Sequence, residues 1–218
     1  MSHRILLLGN KNYSSWSLRA WFFLRVHQVP FDEECVALFT DDWRRRISDL
    51  SPSGRVPVLR EGDVQVWDSL AICEHVSERD GLPGWPSDWR ARAVARSIVA
   101  EMHSGFAALR QQLPMNCRAE GRRVVPDEAA LRDIRRIQTI WRECRERWGA
   151  TGPWLFGDFT IADAFYAPVA SRFRTYGIAL EPASAAYCDA VLGSEAYGEW
   201  AAAAREEKEI IAEDEAGV

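Results

Sequence analysis

The chain has few cysteines, and no two of them stand close together. Cys35, Cys73, Cys117, Cys144 and Cys188 are scattered over 218 residues. That scatter excludes a C-x-x-C dithiol, a cysteine-built zinc site and a disulfide framework, so no metal is expected. Free cysteines are usually buried, and reduced thiols in or near the core are expected. Long apolar runs are also missing. No segment has the length and purity of a membrane-spanning helix. The opening Met-Ser-His-Arg-Ile-Leu-Leu-Leu-Gly holds an apolar run too short for a leader, followed by Asn10, Lys11 and Asn12. It reads as a buried strand in a cytoplasmic protein. No long lysine or arginine block stands out and the net charge is −5. Nucleic-acid binding therefore has no electrostatic footprint, and the mild acidity argues only for solubility.

What the chain does have is apolar surface. Hydrophobic residues make up 47% of it, enough for a substantial core and too much for general disorder. The length suits one large domain or two small ones. Strand and helix signals mix up to residue 80. Strands are expected at Arg4–Gly9, Phe31–Val36, Val56–Arg60 and Val64–Trp67, the last two joined by a Glu61-Gly62-Asp63 turn. Helices are expected at Ser15–His27, Asp41–Leu50 and Asp68–Arg79. Residues 81–88, rich in glycine and proline, read as a linker. From residue 89 to 218 the pattern is helical: Trp89–Leu113, Asp127–Trp148, Thr160–Tyr176, Ala183–Leu192 and Glu195–Ile211, with a tail expected to fray from Glu213. The fold class is an α/β domain, residues 1–80, followed by an all-α domain.

Two short motifs carry chemistry. In Ser53-Gly54-Arg55-Val56-Pro57-Val58-Leu59, Pro57 cannot donate to a strand ladder. Either it simply opens an edge strand, or a cis Val56–Pro57 bond turns the Val56 N–H and C=O outward to pair with an extended peptide. In Trp67-Asp68-Ser69-Leu70-Ala71-Ile72, an acid and a hydroxyl open a helix. The free amides and Ser69 suit a substrate carboxylate, and Asp68 a substrate ammonium. The plain alternative is a helix N-cap.

The pair of motifs, joined by a hairpin, resembles the cytosolic glutathione transferases. Their cis-proline motif reads Val-Pro-x-Leu, as Val56-Pro57-Val58-Leu59 does, and their γ-glutamyl motif is usually Glu-Ser, here Asp68-Ser69. The resemblance implies a thioredoxin-like first domain of β-α-β-α-β-β-α order and an all-helical second domain. It also implies glutathione as cosubstrate without a metal, glutathione contacts at Val56, Pro57, Asp68 and Ser69, and a homodimer. Gly157-Asp158-Phe159-Thr160-Ile161-Ala162-Asp163 matches the family's helix-capping signature. Thr160 at the N-cap and Asp163 at N3 form a capping box, while Phe159 lacks a large staple partner at Ala164.

Tyr13-Ser14-Ser15-Trp16-Ser17-Leu18-Arg19 is similar to the zeta class, which reads Ser-Ser-Cys-Ser-Trp-Arg at this corner. Ser14 takes the place of the catalytic serine and Ser15 that of a neighbouring glutathione contact. Trp16 replaces the zeta cysteine. Two alternatives stay open: Ser14 or Ser15 only caps the helix, or Tyr13 supplies the hydroxyl. The resemblance also places an electrophile pocket between the domains. Met102, His103, Phe106 and Arg110 share one helical stretch that could line it. Arg172-Phe173-Arg174 is similar to a zeta Arg-Phe-Lys stretch, with Arg172 where a substrate carboxylate is held.

Three functions follow. One is a serine-type glutathione transferase adding the thiolate to a hydrophobic or acidic electrophile. The second is a glutathione-dependent cis–trans isomerase of the maleylacetoacetate type. The third is a non-catalytic glutathione-binding scaffold. Ser14, Val56, Asp68 and Ser69 together favour the enzymes.

Overall fold

The computed structural model describes residues 3–217. Met1, Ser2 and Val218, at the outer ends of the two expected domains, lie outside the described residues. Strand β1 is Arg4–Leu8, and Leu6, Leu7 and Leu8 have no exposed surface. A strand that is apolar on both faces belongs in the middle of a covered sheet. The sheet order is β2-β1-β3-β4, with β2 at Asp32–Cys35, β3 at Val58–Glu61 and β4 at Val64–Trp67. β1 runs parallel to β2 and antiparallel to β3, pairing Leu6 with Leu59. Strand β2 reads Asp-Glu-Glu-Cys, and charge on an edge strand discourages pairing with another chain. Helix α1 (Ser15–Val26) makes the β1–β2 crossover, α2 (Asp41–Leu50) follows β2, and α3 (Ser69–Asp80) follows β4. This is the thioredoxin-like order expected from the sequence.

Residues 81–88 form no helix or strand. Beyond them come α4 (Trp89–Ser104), α5 (Ala107–Gln112), α6 (Glu128–Trp148), α7 (Ile161–Thr175), α8 (Pro182–Leu192) and α9 (Glu195–Glu206). The helix expected over 89–113 is broken in two. Gly105 is extended, and a Cβ there would lie 2.7 Å from the Glu101 carbonyl oxygen. Phe106 follows with φ 56°, a left-handed conformation that ends the helix. The break leaves orphan carbonyls, and Arg110 turns back to donate to the backbone of Met102, His103 and Gly105.

The last helix also ends earlier than expected, at Glu206, and the tail is not frayed. Glu215 accepts from Tyr13 Oη at 2.6 Å and Asn116 Nδ2 at 2.9 Å and pairs with Arg122, so the chain end is tied to the loop before α1. Four cysteines are buried free thiols; Cys35, on the edge strand, is exposed.

Every residue of α7 except Arg174 is buried. A helix buried on every side belongs at the centre of a domain. It packs against α1, which packs against α3 on its other side, so one core runs through both domains. The capping box on α7 is present. Phe159, without a staple partner, turns to Phe22, Phe23 and Trp154 at ring distances of 5.5, 6.3 and 5.1 Å.

Candidate active site

The loop from Gly9 to Ser14 is fixed from several sides. Gly9 N–H donates to Ser17 Oγ at 3.0 Å, and Asn10 Oδ1 accepts from Leu38 N at 2.8 Å. The helical domain grips the other flank. Glu207 accepts the N–H groups of Lys11 and Asn12 at 2.6 and 3.0 Å, and Trp200 Nε1 donates to Lys11 O at 2.8 Å. The side chains that follow this loop therefore enter the interdomain cleft from a rigid base.

That cleft has a volume of about 810 Å³ and brings together nearly all the residues singled out from sequence. Ser14, Ser15, Val56, Pro57, Asp68, Ser69, His103, Arg110 and Arg172 all line it. Phe106 does not. It is 7% exposed within the apolar core, because the break at Gly105 turns it away from the face it would share on an unbroken helix. Met102 is fully buried in the same core.

The glutathione-end residues have a coherent geometry. Val56–Pro57 is a cis peptide bond. Val56 lies beyond the end of the β3 register, where Val58 is the first paired residue. Asp68 has φ 82°, outside the usual range for a residue with a Cβ. Its Oδ1 accepts from Leu70 N at 2.8 Å and Ala71 N at 3.3 Å, so it does cap α3. Its Oδ2 lies 3.2 Å from His103 Nε2. Ser69 is 1% exposed, and its Oγ has no hydrogen-bond partner among the described residues. A buried unpaired hydroxyl is costly. An acceptor brought to the wall of the cleft would satisfy it.

At the other end, Ser14 is the N-cap of α1. It accepts from Ser17 N at 3.3 Å and donates to Ser17 Oγ at 2.8 Å. Ser15, equally buried, makes no side-chain hydrogen bond among the described residues. Tyr13 is committed elsewhere: its hydroxyl donates to Glu215 and accepts from Arg118 Nη2 at 2.7 Å. Burial and the Glu215 contact push the Tyr13 pKa up.

The wall facing these hydroxyls is cationic. Arg172 donates from Nε to Leu113 O at 2.8 Å and from Nη1 to Pro168 O at 3.3 Å, leaving Nη2 without a partner among the described residues. Burial brings its pKa down to about 10, still charged at neutral pH. Arg172 is 4% exposed and makes no salt bridge among the described residues. Arg110 lies 4.9 Å over the Trp16 ring, and burial lowers its pKa.

Some cleft residues were missed from sequence. Against Trp16, outside the cleft lining, lies Arg19, a fully buried guanidinium 4.2 Å from the Trp16 centroid and 4.7 Å from that of Phe165. None of the three Arg19 side-chain nitrogens has a hydrogen-bond partner among the described residues, and burial drives its pKa well down. Met115 and Asp214 line the cleft from loop and tail, where no periodic signal marks them. Burial raises the Asp214 pKa, and Arg172 opposes that rise.

Solved structures share this architecture. A glutathione transferase homologue from Burkholderia with bound glutathione superposes with TM-score 0.71 and 23% identity, over 94% of this chain and 100% of that one. A glutathione S-transferase from Rhodospirillum rubrum gives 0.69 and 19%, over 96% and 94%. Likeness at this identity establishes the fold. The family follows from the sequence matches: the glutathione S-transferase N-terminal domain model matches residues 13–79 and the C-terminal domain model residues 87–203. The chain belongs to the glutathione S-transferase family. Among curated relatives, glutathione S-transferase Z2 of Arabidopsis thaliana is 29% identical over 140 residues, 61% of this chain and 60% of that one. A probable maleylacetoacetate isomerase of Caenorhabditis elegans is 28% identical over 110 residues, 50% and 51%. A dichloromethane dehalogenase of Methylorubrum extorquens is 39% identical over 66 residues, 29% and 23%. The chain thus spans between about a quarter and three fifths of the length of these relatives.

Proposed function

We propose that the protein is a glutathione transferase in which a serine hydroxyl stabilises the glutathione thiolate for addition to an electrophile in the same cleft. The observation that carries this reading is the buried, unpartnered Ser69 Oγ beside the Asp68 carboxylate, at one end of a cleft that holds two serine hydroxyls at the other. In this reading the γ-glutamyl carboxylate takes the Ser69 hydroxyl and the Ser69 backbone N–H, since Asp68 already holds the N–H groups of Leu70 and Ala71, and its ammonium faces Asp68. The cysteinyl backbone pairs with Val56, as an added strand does. The sulfur then lies by the N-terminus of α1. The protein is read as a homodimer by its family membership.

Ser14 is the favoured thiolate donor. Its O–H points to Ser17 Oγ without glutathione. Rotating both hydroxyls reverses that bond: Ser17 donates to Ser14, and the Ser14 O–H is released toward sulfur. Ser15 is the second reading, favoured by its unengaged hydroxyl in the same wall. A free thiol of pKa near 8.5 is only about 3% ionised at pH 7. A hydroxyl bond to the charged form is worth about 1.5–3 kcal/mol, roughly one to two pKa units, and the helix N-terminus adds about 0.3–1 kcal/mol. A fall of about two units raises the thiolate population about twenty-five-fold but costs roughly eightfold in nucleophilicity. The net gain is a few-fold. Most of the acceleration therefore comes from holding the electrophile against the sulfur.

The experiment is a thiolate-absorbance titration of bound glutathione. Ser14→Ala is expected to raise the thiol pKa by about one to two units, while Ser15→Ala and Tyr13→Phe leave it within about half a unit. An unchanged pKa in Ser14→Ala with a raised one in Ser15→Ala transfers the role to Ser15. Assaying an aryl halide and maleylacetone side by side separates conjugation from isomerisation. Glutathione binding without either activity identifies a scaffold.

A further inference from the structure

Two oppositely charged side chains at the electrophile end of the cleft are left with unused hydrogen-bonding capacity by the fold. Asp214 belongs to a single 3-10 turn of the tail, Ala212–Asp214. That turn is tied on both sides. Ile211, before it, is buried, and Glu215, after it, accepts from Tyr13 and Asn116 and pairs with Arg122. Asp214 is therefore a fixed part of the wall it lines. Its carboxylate is half-buried and has no hydrogen bond and no ion pair among the described residues. Arg172 lines the same cleft, with Nε and Nη1 bonded to Leu113 O and Pro168 O and Nη2 left without a partner among the described residues. Arg110 has instead turned Nε and Nη2 back onto the backbone of Met102, His103 and Gly105. Asp214 and Arg172 form no ion pair with each other, yet each charge acts on the other: Arg172 holds the Asp214 pKa down against burial, and Asp214 holds that of Arg172 up.

The wall thus offers a donor and an acceptor held apart. Solvent can serve both while the cleft is open. An electrophile that fills the cleft displaces solvent, and a polar group then left without a partner costs free energy. A ligand carboxylate alone would satisfy Arg172 but leave Asp214 desolvated beside a like charge. A second ligand carboxylate would worsen that repulsion. A ligand with a donor next to its carboxylate satisfies both groups. We infer that Asp214 is a specificity-determining residue that selects electrophiles carrying a hydroxyl or amino donor beside their carboxylate, the carboxylate meeting Arg172 and the donor meeting Asp214. The inference rests on the reading of this cleft as a glutathione transferase site and narrows its electrophile class. Hydroxy acids and amino acids are favoured, and plain monocarboxylates and dicarboxylates are disfavoured.

The test measures dissociation constants calorimetrically for three glutathione conjugates that differ only at the end of a flexible arm. They are S-butylglutathione, S-(3-carboxypropyl)glutathione and S-(3-carboxy-3-hydroxypropyl)glutathione, the last in each configuration. Affinities for the two acids are taken relative to S-butylglutathione in the same protein. The parent is expected to bind one configuration of the hydroxy acid roughly fivefold or more tighter than the plain acid, through a hydroxyl bond to Asp214. In Asp214→Ala that preference falls to within about twofold, and the relative affinity for the plain acid rises roughly threefold as the like charge is removed. Asp214→Asn keeps an acceptor oxygen without the charge, so it binds the plain acid better than the parent and retains part of the hydroxyl preference. Because the Asp214 side chain makes no bond to the rest of the fold, both variants are expected to unfold at the parent's urea midpoint. Equal binding of the plain and hydroxy acids by the parent, or a hydroxyl preference undiminished in Asp214→Ala, overturns the inference while the cleft reading stands on S-butylglutathione binding. Failure of the parent to bind S-butylglutathione overturns the cleft reading and the inference with it.

Discussion

Asp163→Asn is expected to lower the unfolding free energy by about 3 kcal/mol or more, the largest stability loss from any single polar substitution considered for this chain. Asp163 is fully buried at the start of α7. One oxygen accepts from Leu155 N and Tyr187 Oη, at 3.0 and 3.1 Å, and the other from Thr160 N and Thr160 Oγ1, at 2.8 and 3.1 Å. Burial pushes the carboxyl up to about 6, against these four donors, so at neutral pH it is ionised and accepts from all of them. An amide turns one oxygen into a donor. The Thr160 and Tyr187 hydroxyls can rotate away, but the backbone N–H of Leu155 or of Thr160 cannot. One buried donor is then orphaned, and charge-assisted bonds worth about 1.5–3 kcal/mol each are weakened. For a chain of this size the midpoint of thermal unfolding drops by roughly 6–12 °C. Asp158→Asn, exposed on the same turn, stays within about 0.5 kcal/mol of the parent. A urea melt of the two variants checks this; equal midpoints contradict the account of how α7 is anchored.

The second large effect is chemical. Arg172→Gln is expected to reduce kcat/KM for a carboxylate-bearing electrophile by about 10- to 100-fold, and for a neutral aryl halide only a few-fold. The guanidinium is anchored to Leu113 O and Pro168 O and turns its remaining nitrogen toward a wall it shares with Arg110. Glutamine can keep one of those anchoring bonds but brings no charge to a substrate anion. Because Asp214 lines the same wall, part of the positive field is already offset without substrate, which favours the lower end of that range. Steady-state kinetics with the two electrophiles decides the matter: equal losses for both assign Arg172 to packing alone.

The parts of this site that were legible in the sequence are those set by local chain. Val56-Pro57 and Asp68-Ser69 each fix a backbone geometry within a few residues, and the Thr160–Asp163 cap closes on itself. The thioredoxin-like order was readable because β1, α1, β3 and α3 each carry apolar residues in a local pattern, while β2 and α2 are largely polar. The misreadings arise where the outcome depends on distant or steric facts. Phe106 fits the helical spacing, but a glycine facing the Glu101 carbonyl ends the helix just before it. The tail from Glu213 is polar and looked frayed, yet Glu215 and Glu207 hold the loop at Tyr13 and Lys11 through contacts 202 and 196 residues away in sequence. Arg19 closes the motif at the first corner without any local signal of its surroundings, and only the three-dimensional fold sets it against Trp16 and Phe165.

The central claim is that glutathione is held between Val56–Pro57 and Asp68–Ser69, and Ser69 tests it most directly. In the free protein its hydroxyl is buried and unsatisfied, so removing it relieves a cost to the fold rather than adding one. Ser69→Ala is therefore expected to unfold at the same urea concentration as the parent or a higher one. Its affinity for glutathione, measured by calorimetric titration, is expected to drop about tenfold or more through loss of a hydrogen bond to a carboxylate. Parent-like affinity in a folded Ser69→Ala protein would contradict the account.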